Sequence, residues 1–278
     1  MRARIALPHR RDLRPAGRNP LALRRSQGRP GRRGMIRTAL ALLLCLAALP
    51  AAAVDCRQTA WQGTDFTLCE VDPGAEPLQL FHSDAQGLPY GGFRAVEADR
   101  GPLAFAMNAG MYHDDLSPVG HYVENGRERM RVIPNAGPGN FGMLPNGIFC
   151  IEQTRARVIE TRAFQARQPA CRHATQSGPM LVIDGALHPR FIPGSDSRHI
   201  RNGVGTSADG TRVVFAISEQ VVNFHDFATL FRDHLGLPNA LYFDGRVSRL
   251  HAPALGRSDA GWAMGPIVGV LDPAAPRG

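Results

Sequence analysis

Asn239-Ala240-Leu241-Tyr242-Phe243-Asp244-Gly245-Arg246-Val247-Ser248 is the stretch on which the reading of the chain turns. Ala240–Phe243 is an apolar run of the right length for a buried strand, and it stops at Asp244-Gly245, a strong turn signal. Asp244 is therefore placed at the tip of a core strand, held by packed scaffold and facing a cleft. A carboxylate there either does chemistry or only shapes the turn, with Gly245 taking a positive φ.

Immediately upstream the period changes. Phe224, Phe227, Ala228, Phe231 and Leu235 share one face at helical spacing, with Asn223 as N-cap and Asp226 three residues on. Gly236 ends the helix and Pro238 prevents its resumption. Before it, Thr211–Ser218 is a β-forming run after Asp209-Gly210. Strand, helix and strand from Thr211 to Phe243 read as a crossover packed on a sheet, which predicts parallel neighbours.

The remainder reads as short strands. Phe66–Val71 is expected to pair with Leu78–His82 across Pro73-Gly74. Pro102–Met107 is a buried run, Gly120–Glu124 ends in an Asn125-Gly126 hairpin turn, and Gly147–Glu152 pairs with Arg157–Thr161. Met180–Ile183 turns at Asp184-Gly185. Many short strands with one good helix predict a single α+β domain built on a central mixed β-sheet.

The N-terminus is of a different kind. Residues 1–34 are Arg-rich, acid-poor and aperiodic, and read as a mis-called upstream extension. Met35-Ile36-Arg37, the apolar run Ala39–Leu49 and Pro50-Ala51-Ala52-Ala53 have the form of a signal peptide over 35–53. The expected mature domain is 54–278, periplasmic or secreted, with no membrane span once the signal is cut. The first 53 residues hold twelve Arg and one Asp, +11 of a whole-chain charge of +8, so the rest of the chain is at −3. The basic composition belongs to the leader and gives no support to nucleic-acid binding. With Cys45 in the leader, Cys56, Cys69, Cys150 and Cys171 are left, and an even number in an exported chain suggests two disulfides. Three pairings exist; closeness in sequence favours Cys56–Cys69 and Cys150–Cys171.

Asn108, Asn146, Ser177 and Asp244 all follow apolar strands, and Arg201 opens Arg201-Asn202-Gly203-Val204-Gly205. Asn and Asp can hydrogen-bond sugar hydroxyls in pairs, while Arg forks onto phosphate oxygens. Glu219 is a candidate second carboxylate or a solvated strand end. His113, Asp114, Asp115 and His121 match no zinc or calcium spacing, and no cofactor or metal is implied.

Seven short motifs run in order: Asn-Ala-Gly-Met-Tyr (108–112), Ser-Pro-Val-Gly (117–120), Gly-Asn-Phe (139–141), Pro-Asn-Gly-Ile-Phe (145–149), Ser-Gly-Pro-Met-Leu (177–181), Arg-Asn-Gly-Val-Gly (201–205) and Leu-Tyr-Phe-Asp-Gly (241–245). Together they resemble the phosphodiester glycosidase family, and within it a bacterial exported branch. The resemblance implies hydrolysis of a glycosyl phosphodiester such as an N-acetylglucosamine-1-phosphodiester. It implies Asp244 as nucleophile or general base, Arg201 as phosphate clamp and Asn108 as a contact to sugar or oxyanion. Asn146, Ser177, Gly178, Gly245, Arg246, Ser248 and Glu219 become candidate substrate contacts. Where the family has Asp-Gly-Gly-x-Ser, this chain has Asp244-Gly245-Arg246-Val247-Ser248, so a bulky Arg246 adds a phosphate contact or narrows the cleft. His121 also departs from the pattern. Two competing readings remain: a non-catalytic periplasmic glycan-binding or envelope-associated protein, and a metal-dependent phosphodiesterase.

Overall fold

The computed structural model describes residues 54–273. The extension and signal peptide expected over 1–53 lie outside the described residues. Along the chain the strands are β1 (Asp55–Trp61), β2 (Thr64–Val71), β3 (Leu78–Phe81), β4 (Leu103–Asn108), β5 (Tyr122–Glu124), β6 (Arg127–Met130), β7 (Gly147–Ile151) and β8 (Ala156–Glu160). They continue with β9 (His173–Ser177), β10 (Met180–Ile183), β11 (Ala186–Leu187), β12 (Asn202–Thr206), β13 (Val213–Ser218), β14 (Asn239–Tyr242), β15 (Leu250–Ala252), β16 (Arg257–Ser258) and β17 (Ile267–Leu271). The α-helices are α1 (Phe93–Arg100), α2 (Thr161–Arg167) and α3 (Phe224–Thr229), the last prolonged by a π-helical turn over Leu230–His234.

Three sheets form, in the orders β1-β2-β13-β12-β14-β10-β11, β16-β15-β4-β17-β3 and β6-β5-β9-β7-β8. Every pairing among them is antiparallel, which corrects the expected mixed sheet. The crossover itself is present: β13 and β14 point the same way, joined through α3. They are not neighbours, because β12 lies between them and pairs antiparallel with both. Likewise β2 and β3 do not form the expected hairpin. β2 takes β1 and β13 as partners, and β3 pairs with β17 in another sheet.

The interior explains why β13 reads as a continuous apolar run. One face of the first sheet joins a core shared by all three sheets, in which Phe105 of β4 lies 4.8 Å and Phe149 of β7 lies 5.8 Å from Phe215 of β13, ring centre to ring centre. The other face, including Val214, Ala216, Ala240 and Tyr242, is covered by α3. Both faces are thus buried without any parallel pairing. α3 begins at Asn223, whose side-chain oxygen accepts from the Asp226 amide at 2.8 Å, as its sequence predicts. Its buried Phe227, Leu230 and Phe231 each contribute about 1.5–3 kcal/mol through apolar burial. α1 and α2 are absent from the sequence reading. α1 buries only Phe93 and Val96, too few to mark a period. α2 starts directly where β8 ends, capped by Glu160, with no turn residues between.

The disulfides are Cys56–Cys69, across the β1–β2 pair, and Cys150–Cys171, from β7 to the segment before β9. Each contributes about 3 kcal/mol by the loop-closure estimate. No helix among the described residues is long and apolar enough to cross a membrane.

Candidate active site

Asp244 sits two residues beyond β14, on a segment pinned from several directions. The Tyr242 amide donates to the Pro179 carbonyl at 3.1 Å and the Phe243 amide to the Asn202 carbonyl at 3.1 Å. Asn202 also takes the Asp244 amide on its side-chain oxygen at 3.1 Å. The Ser177 hydroxyl donates to the Phe243 carbonyl at 2.9 Å, and the Ser248 hydroxyl to the Asp244 carbonyl at 2.8 Å, with the Ile200 carbonyl also within reach at 3.1 Å. Ser177 and Ser248 are therefore supports for this turn, their hydroxyl protons spent on backbone.

Asn108, at the end of β4, joins the same network. Its side-chain oxygen accepts from the Asn202 amide group and from the Arg249 backbone amide at 3.0 Å. The Arg249 amide can only donate, so the orientation of the Asn108 amide is determined, and its Nδ2 is buried without a partner. Asn108, Asn202 and Asp244, from three parts of the chain, are thus one connected set.

The Asp244 carboxylate is half-buried and accepts from the Arg246 amide at 2.9 Å. Burial pushes its carboxyl above the usual range. The amides of Arg246, Gly245 and Val247 and the charge of Arg246 pull it back only in part. Below it lies Tyr242, fully buried, its phenol pushed up by burial while the nearby Arg201 charge acts the other way. Burial pushes the Tyr112 phenol up, and the charge of Asp244 adds to this while those of Arg249 and Arg246 oppose it.

Arg201 differs from expectation. It is 0 % exposed and presents no surface on which a phosphate could be clamped. Its Nε donates to the Val222 carbonyl at 2.9 Å and one terminal nitrogen to the Ser197 carbonyl at 3.0 Å. Its guanidinium carbon lies 3.5 Å from the centre of the Phe224 ring and 5.3 Å from that of Tyr242. Nη1 and the Tyr242 hydroxyl are both buried without a hydrogen-bond partner. The guanidinium is a support beneath Tyr242, one layer below the cleft.

Three other candidates have their side-chain or packing contacts away from the Asp244 carboxylate. Asn146 is satisfied on both sides, accepting from Thr161 at 2.7 Å and donating to the Phe141 carbonyl at 2.9 Å. Gly178 packs on Asn146. Glu219 lies at the same end of the first sheet, but β12 intervenes, placing its backbone about 10 Å from that of Asp244 by strand spacing. Its carboxylate is occupied by Arg257 and the Thr67 hydroxyl, each at 2.6 Å. Asp115 accepts from the amide and hydroxyl of Ser117.

Gly245 is needed for a reason other than a positive φ, since its φ is not in the left-handed region. A Cβ there would lie 2.1 Å from the Tyr242 hydroxyl, and Tyr242 is packed in. Gly245→Ala is accordingly expected to displace the Asp244 turn, lowering stability by about 1–3 kcal/mol and kcat/KM by about 100-fold. Thermal melts and steady-state assays check this. The double variant with Tyr242→Phe, which removes the obstructing oxygen, should recover part of both; no recovery would disprove the contact.

The sequence does not single out Asn202, Tyr242 or Arg249: Asn202 lies within its motif beside Arg201, and Tyr242 is indistinguishable from a core aromatic within an apolar run.

Residues 102–251 match the model of a family described as phosphodiester glycosidase. An Escherichia coli K12 protein, uncharacterised protein YigE, is 34% identical over 215 residues, covering 76% of this chain and 84% of that one. The catalytic domain of zebrafish N-acetylglucosamine-1-phosphodiester alpha-N-acetylglucosaminidase, auto-inhibited by its pro-peptide, superimposes with a TM-score of 0.56 at 12% identity, covering 80% of this chain and 85% of that chain. A Burkholderia pseudomallei K96243 protein, provisionally described as exported, superimposes with a TM-score of 0.50 at 12% identity, covering 75% and 74%.

Proposed function

Because this chain belongs to the phosphodiester glycosidase family, we propose that it hydrolyses the bond between a sugar's anomeric carbon and the phosphate of a sugar-1-phosphodiester. The observation that carries the reading is the Asp244 turn: a half-buried carboxylate at a strand tip, tied to Asn108 through Asn202, with Arg246 two residues away. Asp244 either takes the proton of the attacking water or attacks C1 itself, forming a glycosyl ester that water then cleaves to free the sugar and restore the carboxylate. The C1–O bond breaks, its electron pair leaves with the phosphate oxygen, and a phosphomonoester departs. Such a leaving group needs no strong acid, so the engagement of Glu219 with Arg257 does not obstruct the reaction. Arg246 is exposed and its guanidinium has no hydrogen-bond or ion-pair partner among the described residues. It takes the phosphate-clamp role that buried Arg201 cannot, offsetting charge as it builds on the leaving group. Arg201 acts through Tyr242.

Two disulfides and the leader-like N-terminus support a periplasmic or secreted location. The substrate is then a carbohydrate phosphodiester or envelope glycan.

The test is hydrolysis of the methyl phosphodiester of N-acetylglucosamine 1-phosphate in ¹⁸O-water. The expected label is on the sugar's C1 hydroxyl, with methyl phosphate unlabelled. Label in phosphate would mean P–O cleavage and overturn the reading. Binding without turnover would favour the non-catalytic glycan-binding protein.

A further inference from the structure

Beside the Asp244 turn, the segments 246–249 and 259–262 line a cavity of about 350 Å³, of which the reaction as described uses only Arg246. Its charges are unbalanced. Arg246 and Arg249 line it, and the Arg249 guanidinium has no hydrogen-bond or ion-pair partner among the described residues. The acid in the wall, Asp259, is already taken: Arg257 grips it with contacts of 2.9–3.2 Å and the Leu250 amide donates to it at 2.9 Å.

The root of Arg249 is held in place. Its backbone amide is on Asn108, and the next amide is on Asp259. Its guanidinium lies against Gly261, where φ is 143° and a Cβ would come 2.7 Å from Nη2. The bare α-carbon is what lets the guanidinium lie there. Burial disfavours its charge, a cost that an incoming oxyanion would offset. At the rim, Trp262 is 86 % exposed, an unusual position for a large apolar ring.

We propose that this cavity is a leaving-group subsite for an aglycone bearing a second oxyanion, phosphate or carboxylate, which Arg249 receives while Trp262 covers the aglycone's carbon skeleton. The inference rests on the function proposed above for what fills the cavity, with Arg246 on the departing phosphate and Arg249 on the further charge.

The products can be tested without turnover. Glycerol 3-phosphate carries one anionic group, 3-phosphoglycerate adds a carboxylate, and glycerol 1,3-bisphosphate adds a phosphate. Calorimetry should show one or both of the compounds with a second anionic group binding about tenfold more tightly than glycerol 3-phosphate, and which one does identifies the oxyanion. In Arg249→Ala the preference should fall to near one, while Arg249→Lys, which keeps the charge, should retain part of it. The chain has two tryptophans, so in a Trp61→Phe background the same ligands should quench Trp262. No preference in the unmodified protein, or a preference that survives Arg249→Ala, overturns the subsite. If the preference holds but no diester is hydrolysed, the subsite stands and the glycosidase reading fails.

Discussion

Asp244→Asn should lower kcat/KM on a sugar-1-phosphodiester by at least about 10³-fold while leaving the protein folded. Asn cannot serve as nucleophile or base, yet its side-chain oxygen can still accept from the Arg246 amide. Burial raises the Asp244 pKa in the folded state, so the native protein holds this proton more tightly than the unfolded chain. Below the unfolded pKa both states are protonated and the group costs nothing. As pH rises through the interval up to the folded pKa, the cost of ionising it in place accrues, and above that it is paid in full. Asp244→Asn should therefore be more stable than the unmodified protein at pH 7, and the gain should vanish below the ordinary carboxylate range, near pH 3.9. Activity should fall with acid at a pH above that range, because the working form is the carboxylate. Full turnover by the variant would remove Asp244 from the mechanism, and a pH-independent stability difference would remove the electrostatic cost.

Arg201→Ala should destabilise the fold by about 3–5 kcal/mol, since it opens a cavity between Phe224 and Tyr242, strands the Ser197 carbonyl and leaves the Val222 carbonyl with only the His199 amide. For a domain of this size the melting temperature should fall by about 6–20 °C. Arg201→Met, which fills the space between the rings, should recover some stability but leave Tyr242 without its cationic support. A surface phosphate clamp behaves oppositely, with KM rising and the melting temperature unchanged. That result would restore the role first assigned to Arg201. Arg246→Ala is the contrasting variant, because its exposed side chain can weaken substrate binding with little effect on the melt.

Local chemistry was legible wherever it is local in fact. The strand before Asp244, the Asn223 cap, the Asn125-Gly126 and Asp184-Gly185 turns and the sequence-near disulfides depend on neighbouring residues, and the structure has them. Pairing was not legible in the same way. β13 and β14 carry every sign of parallel neighbours, and only the insertion of β12 makes the sheet antiparallel. Likewise β3 has the right spacing to pair with β2 yet pairs with β17, nearly two hundred residues on, because a hydrophobic strand edge does not encode which distant edge completes it.

The same division runs through the candidate site. Residue type and order, through the family resemblance, make Asp244, Asn108 and an arginine the candidates. Which arginine borders a cavity is set by tertiary packing, which buries Arg201 between two aromatic rings and puts Arg246 and Arg249 in a cavity wall. Three guanidinium groups of identical chemistry differ only in what surrounds them. That surrounding is assembled from elements far apart in the chain, so no short stretch of sequence contains it.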